Sequence, residues 1–292
     1  MKKRIAKIAF CCIGAIFLLS CQDDNESSDT GEFNSLTVIT RTEKNELEAA
    51  VNEINSAVGN NFGVDTSTSK TVSTEKTFGC MDITSEEDEN GNIAVIIDYG
   101  ETCELRNEDV VSGRIVITYT SEDSEDNDFV IDYTLENYTY NDIMVTGSAQ
   151  AIYDFENEAG NLVYAYESDF SFTWPDGLEA TDNSSYATET IFESDEETFL
   201  NFYNLVTGNG ETIFSNGDSY TFQITEPLRS EPRCRYYVSG VVVSTQNSET
   251  VTLDYGDGEC DDSALETDDD GNTTEIDLDD IVDDDEDDDT GS

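Results

Sequence analysis

The sequence predicts a mainly β protein: an antiparallel meander forming a curved sheet or sandwich, with one N-terminal helix packed on it. Three observations lead there. Several segments alternate apolar and polar residues with period two, Asn161–Trp174 most cleanly. Short clusters of Gly, Asn, Asp and Pro separate those segments, which suits hairpins better than parallel βαβ crossovers. One stretch, Glu43–Val58, carries apolar residues at helical spacing instead. The chain divides into residues 1–20, a leader; 21–36, a flexible acidic tether; 37–260, one β-rich domain; and 261–292, an acidic tail.

The leader begins with Lys2, Lys3, Arg4 and Lys7 and continues in the apolar run Ile8–Leu19. That run is shorter than the roughly 20 residues a membrane-spanning helix needs. It closes on Leu18-Leu19-Ser20-Cys21, which resembles the lipobox of bacterial lipoproteins; Leu18 and Ser20 fit the pattern and Leu19 is bulkier than usual. The resemblance implies removal of residues 1–20, fatty acylation of Cys21 and attachment to the outer membrane through that lipid. The alternative is an ordinary secretory signal, cleaved without acylation. Cys11 and Cys12 leave with the leader. Gln22-Asp23-Asp24-Asn25-Glu26 resembles the acidic signal that carries lipoproteins to the cell surface in the Bacteroidetes, and the same residues read as a solvated tether.

Within the domain, Leu47, Ala50, Val51, Ile54 and Ala57 share one helical face. Thr42 suits the N-cap, Glu43 and Glu46 the first turn, and Gly59 the position after the last turn. Asn60–Lys76 reads as a polar connection. The strands follow. In the clearest, Leu162, Tyr164, Tyr166, Phe170, Phe172 and Trp174 share one face, with Glu167, Asp169 and Ser171 on the other. Phe129–Leu135, Ile143–Ala151 and Tyr220–Ile224 repeat the pattern. Turns are expected at Ser124–Asp128, Tyr140–Asp142, Glu158–Gly160, Pro175–Gly177, Gly208–Gly210 and Asn216–Asp218.

Four cysteines remain after Cys21: Cys80, Cys103, Cys234 and Cys260. Three disulfide connectivities are open to them. One sequence pattern occurs twice: Cys, strand, turn, strand, Asp-Tyr-Gly, Cys. The midpoint of each Cys-to-Cys segment falls in its turn, between Gly91 and Asn92 in the first and at Asn247 in the second. Two hairpins closed by Cys80–Cys103 and Cys234–Cys260 follow, and each bridge contributes roughly 3 kcal/mol in the chain-entropy model. A metal site is the alternative, disfavoured by the lack of CxxC spacing and by an oxidising location. The glycines of Asp98-Tyr99-Gly100 and Asp254-Tyr255-Gly256 suit a turn or bulge beside the bridge. These repeats, with Ser112-Gly113-Arg114-Ile115 after the first, resemble uncharacterised β-rich lipoproteins of Bacteroidetes and flavobacteria over roughly residues 78 to 262. The resemblance implies location and a β architecture, and no activity.

From Asp261 the chain holds 17 acidic residues, no basic one and few large apolar groups, so residues 261–292 are expected to be disordered. Ile276, Leu278, Ile281 and Val282 are the exceptions. Glu266, Asp268, Asp270 and Asp277, with Gly271, partly match a calcium loop. Glu replaces Asp at its first position and Asp replaces Glu at its last. Calcium is the one cofactor the sequence suggests. Trp174, the only tryptophan, stands beside Pro175-Asp176-Gly177 and reads either as a ligand-stacking platform or as the end of the buried face of its strand. Tyr138 and Tyr140 fall outside the clean alternation and read either as exposed or as packed at an edge.

Charge and composition exclude several functions. Net charge is −54, and without the leader nine Lys and Arg stand against 67 Asp and Glu. Such a body repels phosphate backbones and anionic head groups, so no nucleic acid is expected as a partner. The chain has no histidine, which removes Ser-His-Asp and Cys-His catalysis and His-ligated zinc. No catalytic residue is assigned. The leading expectation is a lipid-anchored, surface-exposed lipoprotein that binds a glycan or an envelope protein. A carboxylate-dependent glycan hydrolase and a purely structural envelope protein are the alternatives.

Overall fold

The computed structural model describes residues 35–60, 74–78, 80–87, 93–120, 128–192 and 202–278. The leader, Cys21, the tether up to residue 34, most of the Ser124–Asp128 turn and the tail beyond residue 278 lie outside the described residues. One helix, α1 (Ser35–Asn60), precedes fourteen strands. They are β1 (Thr74–Phe78), β2 (Met81–Glu87), β3 (Ile93–Glu104), β4 (Val110–Thr120), β5 (Asp128–Tyr140), β6 (Ile143–Asp154) and β7 (Leu162–Thr173). The second half holds β8 (Glu179–Phe192), β9 (Phe202–Phe214), β10 (Ser219–Ser230), β11 (Ser239–Gln246), β12 (Glu249–Asp257), β13 (Ser263–Thr267) and β14 (Thr273–Asp277). Every strand pairs with its neighbours in sequence, all antiparallel, in one open sheet that does not close into a barrel.

This is the predicted meander with its helix. One face of the sheet carries α1. Leu47, Ala50, Ile54, Ala57 and Val58 of the helix are buried there against Val95 and Ile97 of β3, Ile115 and Ile117 of β4, Tyr133 of β5, and Tyr166, Phe170 and Phe172 of β7. On β6 the small Ala149 and Ala151 stand opposite Tyr133 and Tyr166, and Val145 stands between Tyr138 and Phe172. A second, smaller core lies on β9–β12 around Val206, Ile224, Leu228 and Val242.

Both disulfides close as expected, Cys80–Cys103 and Cys234–Cys260, each with Cα atoms 5.4 Å apart. The repeated Asp-Tyr-Gly has one geometry in both copies. Asp98 accepts from the Gly100 N–H at 2.8 Å and Asp254 from the Gly256 N–H at 2.9 Å. Gly100 and Gly256 have φ of +70° and +91°, and the strand register shifts beside both. The glycine therefore makes the bulge that turns the strand end toward its cysteine.

Several expectations are corrected. α1 begins at Ser35 and runs through Thr42, since nothing from Leu36 to Arg41 is Gly or Pro; it also runs past Gly59. Thr74–Lys76, read as the end of a polar connection, belongs to β1. Gly208-Asn209-Gly210 is not a turn but the middle of β9. Its glycines are there for contact: a Cβ on Gly208 would meet the Ser185 carbonyl oxygen at 2.6 Å, and one on Gly210 the Phe222 ring at 2.4 Å. Tyr138 and Tyr140 are buried, at 0% and 5% exposure. β5 carries an extra residue between Thr134 and Tyr138, with Asn137 at φ +50°, and this shifts the inward set from odd to even positions. The tail is not disordered from Asp261: β13 and β14 pair in register from Ser263↔Asp277 to Thr267↔Thr273. β13 also pairs with β12, and Asp269 accepts from the Thr250 N–H at 2.8 Å. An existing sheet edge supplies the backbone partners that this segment's composition could not supply alone.

Gly113 (φ +83°) sits where a Cβ would lie 2.2 Å from the Asn137 carbonyl oxygen, whereas Gly177 (φ +92°) has nothing within 4 Å. Gly113→Ala is expected to cost about 2–4 kcal/mol and Gly177→Ala only about 1 kcal/mol, read as midpoint shifts in urea unfolding. Replacing Cys234 and Cys260 by serine is expected to lower stability by about 2–4 kcal/mol in the same assay.

Candidate functional site

Polar and titratable groups gather where α1 meets the sheet. Near its N-terminal half, Glu46 Oε2 accepts from the Trp174 indole N–H at 2.7 Å. Glu43 lies beside Glu46 and Asp176, and its Oε2 is buried with no hydrogen-bond partner. Burial, then the neighbouring carboxylates, raise its carboxyl above the ordinary range against an opposing backbone hydrogen bond. Glu48 pairs with Lys44 at 2.5 Å, both largely shielded from solvent. Burial raises the Glu48 carboxyl, Lys44 opposes this, and Asp182 of β8 adds to it. Asp182 itself is buried, accepting from Thr212 Oγ1 at 2.6 Å and Ser184 Oγ at 3.4 Å.

Toward the C-terminal half, Asn55 Oδ1 accepts from the phenols of both Tyr133 and Tyr166. Glu53 faces Asp109, which precedes β4, together with Tyr99, Tyr138 and Tyr140. Burial, then the charge of Asp109, push the Glu53 carboxyl up to about 7. Tyr140 donates to Asp109 Oδ2 at 2.6 Å. The Tyr138 hydroxyl is buried in this cluster with no partner, and its ring meets that of Tyr99 edge-on with centroids 6.0 Å apart.

Beyond the helix the same face continues as a row of half-buried rings. Tyr119 of β4 stacks with Phe129 of β5 at 5.6 Å. Phe129 stands directly opposite Tyr153 of β6, and Tyr153 opposite Tyr164 of β7. Phe155 stacks on Tyr153 at 6.5 Å and is 55% exposed.

Of the residues singled out in the sequence, Trp174 lies at the edge of the helix site and the calcium-loop carboxylates lie away from it. Trp174 is 7% exposed, packed between Phe172 and Phe214, so its ring is not open for stacking on a ligand. The calcium-loop carboxylates do not converge. Glu266 is opposite Thr274 while Asp277 is opposite Ser263, which separates them by about 10 Å along the hairpin. Asp268 is taken by Asn272, whose N–H and Nδ2 both donate to it at 2.8 Å, and these bonds hold its carboxyl below the ordinary range. Among the described residues, no group of three or more Cys, Asp or Glu side chains is placed to hold a metal.

The carboxylates at the helix went unnoticed among so many acidic residues. Two signals were present. Glu46 and Glu53 are seven residues apart and border the apolar stripe, and Asp182 shares the inward phase of Ala180 and Tyr186. No protein-family model, curated protein or solved structure matches the chain.

Thr212→Val removes the shorter hydrogen bond to the buried Asp182. It is expected to lower stability by about 2 kcal/mol in urea unfolding, with the far-ultraviolet β signal retained.

Proposed function

We propose that this protein is a lipid-anchored, surface-exposed lipoprotein of the outer membrane that binds a glycan on the face of its sheet. The observation that carries this reading is the aromatic row Tyr119, Phe129, Tyr153 and Tyr164, which ends in the exposed ring of Phe155. Aromatic rings standing side by side on paired strands offer sugar faces an apolar surface at little conformational cost. Neighbouring polar groups supply orientation: Asn157 and Asn161, in the turn after Phe155, both donate to Glu189 of β8, at 2.9 Å and 2.7 Å. Two disulfides and a continuous backbone ladder keep the platform rigid, which limits the entropy lost on binding.

The anchor is proposed from Leu18-Leu19-Ser20-Cys21 and the basic, apolar leader before it. A strongly negative body does not adhere to anionic lipid by charge, so the acyl chains would hold it.

Binding is tested on an oligosaccharide array with the native chain and Phe155→Ala. The exposed site makes this variant fold like the native chain, and loss of at least tenfold in affinity for the retained glycan is expected. Absence of any retained glycan, or equal retention by the variant, overturns the binding reading. Labelled fatty acid is expected to enter the native chain and not Cys21→Ala; equal incorporation removes the anchor.

A further inference from the structure

The contact between α1 and the sheet is apolar at its centre and acidic along both sides. The centre is made of Leu47, Ala50, Ile54, Ala57 and Val58, two of them alanines that bury little surface.

The flanking side chains are a poor match in charge. On the helix stand Glu43, Glu46, Glu48 and Glu53, with Lys44 as the cation paired to one of them. Facing them are Asp176 of the β7–β8 turn and Asp182 of β8 at one half. Asp109 before β4 and the phenols of Tyr99, Tyr138 and Tyr140 face the other half. The phenols of Tyr133 and Tyr166 face Asn55. Two buried atoms at the seam, Glu43 Oε2 and the Tyr138 hydroxyl, have no partner. An ionised carboxyl repels its like-charged neighbours and a protonated one does not, so proton uptake relieves the like charges along the seam.

We propose that α1 is a proton-controlled strap, held on the sheet when its carboxyls are protonated and released, baring the tyrosine floor, when they ionise. The direction follows from linkage. Carboxyls raised by burial bind protons more tightly in the docked state, so docking is favoured at low pH. The advantage is lost as pH rises from the ordinary carboxyl range, 4.5, through about 7 for Glu53. Glu43 and Glu48 act in the same direction. The floor that release would bare holds Tyr133, Tyr166, Phe170 and Phe172, all buried under α1 or beside it. This goes beyond the binding reading and stands whether or not a glycan is held at Phe155.

The molecule carries its own reporter. Trp174 is the sole tryptophan, and its indole N–H donates to Glu46 of the strap. The experiment measures hydrogen exchange of α1 and of β6–β8 in the full chain at pH 5.5 and 8.5, corrected for intrinsic rates. It runs beside acrylamide quenching of Trp174, for the native chain and for the double variant Glu43→Gln, Glu53→Gln. Expected in the native chain is a fall in α1 protection of about tenfold or more at pH 8.5, with stronger quenching and unchanged β6–β8. The double variant is expected to stay protected and unquenched at both pH values. The proposal is overturned if native α1 protection and quenching are the same at both pH values, or if β6–β8 opens together with α1. A double variant that loosens as the native chain does overturns it equally.

Discussion

The seating of α1 on the sheet is the contact that decides whether the aromatic face of β3 to β8 is covered. A sheet of this width exposes two faces, and a face rich in tyrosine and phenylalanine needs a second layer to cover it. α1 is that layer for β3 to β8. Each aromatic side chain removed from water hides about 150–250 Å², so covering Tyr133, Tyr166, Phe170 and Phe172 is a large part of what stabilises the domain. The fit depends on size as much as on polarity. Ala149 and Ala151 in β6 lie opposite Tyr133 and Tyr166, leaving depth for the helix between the rings.

Charge works against that contact. The sequence is strongly anionic, and its carboxylates are not confined to solvent. Glu48 and Asp182 stand near each other beneath the helix, and Glu53 stands near Asp109. One salt bridge, to Lys44, offsets part of this. Buried like charges persist because apolar and aromatic contacts around them outweigh their cost.

Elements with strict local periodicity were legible from sequence. β7 follows its alternation from Leu162 to Thr173, and both disulfides follow from one repeated spacing of Cys and Asp-Tyr-Gly. What escaped depended on neighbours distant in sequence. Tyr138 and Tyr140 turn inward because one extra residue in β5 reverses the phase, and a bulge has no fixed sequence signature. Gly208 and Gly210 look like turn residues until Ser185 and Phe222 are set against them. β13 and β14 have a composition too acidic to form a core, and they pair because β12 presents an unsatisfied edge. The carboxylates at α1 were individually visible and collectively indistinguishable from the rest, since spacing alone does not say which acid is covered.

The two stapled hairpins occupy β2–β3 and β11–β12, close to the two margins of the sheet. A meander in which each strand pairs only with its sequence neighbours peels most readily from its outermost members inward, because those lose one partner rather than two. Covalent clasps near both margins alter that route. Once β1 and β13–β14, which lie outside the clasps, have left, each stapled hairpin must leave the ladder as a unit. Fraying strand by strand is thereby replaced, at both margins, by the costlier departure of a paired unit.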